Sequence, residues 1–139
     1  MEAKITTLTL SLLLGLGGCS AHSPMIMTST TDVQPTAAST KYPPHSNKVF
    51  ITSGNLPSSV KYEVLGQLDV GKVWYGDSDN ALEALADGAR KLGADAVIEV
   101  KTWHQPSGWS WAAPHGAGKA VKINLPEKYE FTGLIGDWK

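Results

Sequence analysis

The chain has 139 residues, of which 18% are charged, below the ~25% of an ordinary soluble domain. Twelve Lys+Arg against thirteen Asp+Glu give a net charge of −1, which provides no basic surface for nucleic acid. A single cysteine excludes an intramolecular disulfide and a cysteine-based zinc cluster, and one domain is the natural expectation at this length.

Residues 1–18 read as an export signal. Lys4 and the amino terminus precede an apolar stretch from Ile5 to Leu16, interrupted by Thr6, Thr7, Thr9 and Ser11. A membrane-spanning helix needs ~20 mostly apolar residues, and this stretch has the length of a signal h-region instead. It ends in Leu16-Gly17-Gly18-Cys19, which resembles the bacterial lipoprotein box of an aliphatic residue, two small residues and a cysteine. In that box the small residues admit the backbone to the signal peptidase and the thiol accepts the diacylglycerol. Burial of acyl chains at ~0.8 kcal/mol per CH₂ then makes a stable anchor. Ser20 follows the cysteine, which in enteric-type bacteria resembles the choice of the outer membrane.

Residues 19–48 read as the lipidated cysteine and a flexible tether. The segment is dominated by Ser, Thr, Ala and Pro without periodicity, and such a composition buries too little apolar area to offset ordering entropy. The folded unit is expected at 49–124. Val49–Thr52 forms a short strand, Tyr62–Leu68 a second with Gly66 a bulge candidate, and Lys72–Tyr75 a third or a continuation. Leu82, Leu85, Ala86, Ala89 and Leu92 make one apolar stripe after the cap candidates Asp77, Ser78, Asp79 and Asn80, with Gly93 closing the helix. This pattern predicts a helix over 79–92.

Next, Ile98, Val100 and Thr102 alternate with Glu99 and Lys101, the pattern of a strand packed on one side. Ala117–Asn124 forms another strand, and 104–116 is expected as a long hairpin loop. The tail, 125–139, carries Tyr129, Phe131, Leu134, Ile135 and Trp138, apolar enough to dock. The expected class is α+β, a sheet of four to five strands with one packed helix in the order β-β-(β)-α-β-β.

Within 49–124, Tyr62-Glu63-Val64-Leu65-Gly66, the Val-Gly-Lys-Val segment after it, and Ala89-Arg90-Lys91-Leu92-Gly93-Ala94-Asp95-Ala96-Val97-Ile98-Glu99-Val100 resemble the YbjQ-like family. That family carries a heavy-metal-binding label, and the resemblance implies an α+β fold and a homo-oligomeric ring, often a pentamer. A helix leading into an Ala-Asp-Ala strand also resembles the Rcs stress-sensing outer-membrane lipoprotein. That protein uses disulfides in its domain, whereas this chain has one cysteine. The Gly-Ala-Asp-Ala residues themselves read as structural: Gly93 for a positive φ, Ala94 and Ala96 for close packing, Asp95 for bonding local amides.

Candidate metal ligands are His22 and His45 in the tether, and His104 and His115 flanking the expected loop. The last two could converge across a hairpin, but zinc takes three or four ligands. Asp77-Ser78-Asp79 resembles the start of a calcium loop, and Ala81 and Leu82 at the following positions exclude it. Ser53, Ser58 and Ser59 have no nucleophile elbow, and Gly66, Gly71 and Gly76 make no phosphate loop. No catalytic group is expected, and no cofactor. Trp103, Trp109 and Trp111 are the unusual feature. Aromatic side chains on a Gly/Pro-rich loop suit a protein partner, a sugar face or a membrane interface, or else cover a sheet edge or subunit contact. The expected function is a lipid-anchored, non-catalytic, oligomeric binding or scaffold protein of the cell envelope, in the outer membrane and facing the periplasm. It would engage the membrane through its lipid, a second copy of itself, and an envelope protein. The alternative is a metal-binding or metal- and stress-responsive lipoprotein using His104 and His115.

Overall fold

A computed structural model describes residues 29–125, 131 and 133–139. The expected export signal at 1–18, Cys19, His22 and Tyr129 lie outside the described residues. The observed elements in chain order are β1 (Thr30–Pro35), a 3-10 turn (Ala37–Lys41), β2 (Phe50–Ile51), β3 (Tyr62–Gly71), α1 (Ser78–Leu92), β4 (Ala96–Ser107), β5 (Ser110–Ile123) and β6 (Asp137–Trp138). They form one six-stranded sheet in the order β1-β3-β5-β4-β2-β6 with a single α-helix. The α+β class matches the expectation, while the strand number and order differ. Neighbouring strands are antiparallel except β2 and β4, which run parallel.

The helix forms where its apolar spacing places it, one residue earlier at its start. Asp77 is the N-cap, its carboxylate accepting the Asn80 amide at 3.4 Å. Gly93 ends the helix at φ 77°, a left-handed conformation that costs most residues about 1 kcal/mol and glycine little. Ala81, Leu85, Ala86 and Ala89 pack on Leu65, Leu68, Val70, Val97 and Ala120 of the sheet. Full burial of a leucine such as Leu85 contributes about 2 kcal/mol. On the opposite face Phe50, Ala96, Ile98, Val121 and Ile123 are covered by Leu56, Val60 and Phe131.

Four expectations are corrected. First, residues 30–41 are not tether. β1 pairs with β3 from Thr30↔Gly71 to Pro35↔Gly66, and Thr36 Oγ1 donates to Val64 O at 2.8 Å. The 3-10 turn follows on β3, where Lys41 Nζ and Tyr42 Oη both reach the Glu63 carboxylate at 3.0 Å. These contacts hold the Glu63 carboxyl below its ordinary value, through Lys41 first, and push Lys41 and Tyr42 up. His45 then closes the helix end. Its Nδ1 accepts the Asn47 amide at 3.2 Å, so Nε2 carries the proton and donates to Ala94 O at 2.7 Å. It is a structural residue.

Second, Ile98 and Val100 do not share a face. The register shifts between Ile98 and Lys101, with Glu99 at φ 53°, so Ile98 joins the cluster away from the helix and Val100 the one beneath it. Third, Lys72–Tyr75 is not a strand, since β3 stops at Gly71. Fourth, 104–116 is not a long loop: β4 and β5 continue through it to a turn at Gly108-Trp109. The tail does dock. β6 pairs with β2, Phe131 stacks on Phe50 at 4.7 Å, and Trp138 meets both rings at 5.3 Å.

Candidate binding surface

The turn of the β4–β5 hairpin and the segment 72–77 between β3 and α1 meet at one end of the sheet. Backbone hydrogen bonds join them: Lys72 N to Pro114 O at 3.1 Å and Trp109 N to Val73 O at 3.2 Å. His104 Nε2 lies 3.1 Å from Gly76 O, and Trp111 N donates to Tyr75 Oη at 3.4 Å. Two irregular segments thus brace each other, as their backbone amides and carbonyls require partners where the sheet ladder ends.

The side chains that this bracing presents are aromatic. Trp74 and Tyr75 are 63% exposed, Trp109 is 62% and Trp111 81%. Large apolar side chains are normally scattered singly over a surface, so four of them at one end mark a contact site. Two hollows lie among them: one of about 290 Å³ beside Ser29, Lys72, Trp74, Tyr75 and Glu83, and one of about 350 Å³ within Pro106–Trp111. No Asp, Glu, Lys or Arg occurs between Lys101 and Lys119. The hairpin end is therefore uncharged as well as aromatic.

Of the tryptophans singled out from sequence, Trp109 and Trp111 belong to this surface and Trp103 does not. Trp103 is half-buried, donates Nε1–H to Gln105 at 2.8 Å and stacks on His115 with centroids 5.8 Å apart. Trp74 and Tyr75 were hidden in the sequence by the expected third strand. A Trp-Tyr-Gly run lying directly before a helix cap is the signal that marks them.

The two histidines are not brought together. In the register Trp103 opposes His115 and His104 opposes Pro114, which puts His104 on the helix side and His115 on the other. His104 is exposed, whereas His115 is 0% exposed with Nε2 3.0 Å from Ser107 Oγ. A serine–histidine pair has the groups of a nucleophile and base, but Ser107 is only 1% exposed. The pair fastens the base of the hairpin turn. Among the described residues no three His, Cys, Asp or Glu side chains gather where they could hold a metal ion. Nor is any described helix long and apolar enough to cross a membrane. No family model matches the chain, and neither curated proteins nor solved structures yield a match.

Proposed function

We propose that this chain is a lipid-anchored bacterial envelope lipoprotein, held in the outer membrane and facing the periplasm, whose α+β domain is a non-catalytic, homo-oligomeric binding module. The anchor rests on the Leu16–Cys19 box behind a short apolar stretch. Binding rests on one observation, the braced end that exposes Trp74, Tyr75, Trp109 and Trp111. Self-association accords with the ring that the YbjQ-like resemblance implies and with the small core of such a domain. Metal binding through His104 and His115 has no comparable support, because these side chains occupy opposite faces of one hairpin.

Growth of a bacterium expressing the chain with labelled palmitate tests the anchor. The protein becomes labelled, and Cys19→Ala abolishes the label. Equal labelling of the variant would overturn the reading.

A further inference from the structure

The exposed aromatic end and the point at which the chain enters the domain coincide. β1 starts at Thr30, opposite Gly71, the last residue of β3 before the aromatic segment. Ser29 lines the same hollow as Trp74 and Tyr75. Ser29 lies ten residue steps beyond Cys19, and a chain of that length spans at most about 35 Å. An anchor at Cys19 therefore holds the domain close to a bilayer with this end leading.

From this we infer that Trp74, Tyr75, Trp109 and Trp111 sit in the headgroup region of the bilayer that holds Cys19, so that the lipid and the aromatic end fix the domain's orientation together. The inference rests on the lipid anchor proposed above. The chemistry fits the place. Tryptophan and tyrosine combine an apolar ring with a polar N–H or O–H, and collect where hydrocarbon meets water. The absence of charge between Lys101 and Lys119 means that no ion need be stripped of water as the hairpin enters. Attraction to anionic lipid is not the driving force, because Asp77, Asp79 and Glu83 lie beside Trp74 and Tyr75 in the chain or across the hollow. Contact with zwitterionic lipid is expected, with little dependence on salt.

The test compares the full, lipidated protein in vesicles of ordinary and of brominated phosphatidylcholine, reading tryptophan emission. Three of the five tryptophans, Trp74, Trp109 and Trp111, belong to this end or its hairpin turn, so emission falls by about half in the brominated vesicles, alike at low and high salt. In a W74F/W109F/W111F variant the quenching is lost. Its remaining tryptophans lie outside the aromatic end: Trp103 is half-buried on His115, and Trp138 packs on Phe50 and Phe131. Palmitate-labelled protein whose emission is equal in both vesicles would overturn the interfacial contact while leaving the anchor intact. A photo-cross-linker at position 109 that yields a protein adduct in intact cells, in place of a lipid adduct, would overturn it too. Absence of the palmitate label would remove the anchor reading and this inference with it.

Discussion

Replacing Asp95 by alanine probes the joint between helix and sheet. One carboxylate oxygen of Asp95 accepts the Ile123 amide at 2.9 Å and the other meets Lys122 Nζ at 3.0 Å, with side-chain exposures of 19% and 25% for the acid and the lysine. The backbone of Asp95 also donates to Val121 O and accepts from Phe50 N. Asp95 thus ties the first residues of β4 to the last of β5 and to β2. Removing the carboxylate leaves the Ile123 amide, near the end of its strand, without that acceptor. The loss of a hydrogen bond to a charged group amounts to about 2 kcal/mol. The partly exposed lysine pair adds a few tenths of a kcal/mol. At about 4–8 °C per kcal/mol for a domain of this size, Asp95→Ala lowers Tm by roughly 10–15 °C. Asp95→Asn keeps an oxygen for the amide and loses only the charge, so its drop is less than half as large. Thermal and urea unfolding of the chain from Ser20 onwards, followed by circular dichroism, measures both. An alanine variant within about 0.5 kcal/mol of the parent would refute the reasoning. Equal losses in the two variants would show that the ion pair, not the amide, carries the effect.

Two further outcomes are expected. Glu63 titrates below its ordinary value of 4.5, so the stability it contributes is present above that value and lost as pH falls through the lowered one. The protection of the amides in the 3-10 turn at Ala37–Lys41, taken relative to their intrinsic exchange rate at each pH, therefore falls on acidification, and Glu63→Gln lowers it already at neutral pH; equal protection in variant and parent would contradict this. Light scattering of residues 29–139 at micromolar concentration gives a mass several times that of one chain, and a monomer mass would remove self-association. The chain must start no later than residue 29, because trimming to residue 41 deletes β1 and bares the β3 edge.

What the sequence discloses of this fold follows the strength of side-chain patterning. The helix was legible because Leu82, Leu85 and Ala89 must share one face, and its cap is the first of the four candidates, Asp77. β1 was illegible because its residues are exposed or nearly so, leaving a polar Thr/Asp/Gln/Pro composition like that of a linker. The hairpin was hidden for a different reason. Gly116 reads as a loop residue, yet it lies in a strand with Gly118 under the helix-side packing. A Cβ at Gly116 would come within 3.2 Å of Leu85, and one at Gly118 within 2.7 Å of Val97. The bulge at Glu99 was equally silent, since Glu99 and Lys101 preserved an apparent alternation. For the binding surface, the clustering of Trp109 and Trp111 was visible in sequence. Their partnership with Trp74 and Tyr75 depends on hydrogen bonds between segments more than thirty residues apart in the chain.

The central claim is that this domain is held to a membrane through Cys19. Intact-mass measurement of the protein extracted from bacterial membranes tests it most directly. The claim predicts a chain that begins at Cys19 and carries a diacylglyceryl group on its sulfur. A chain that retains Met1, or one whose Cys19 thiol is free, would contradict it.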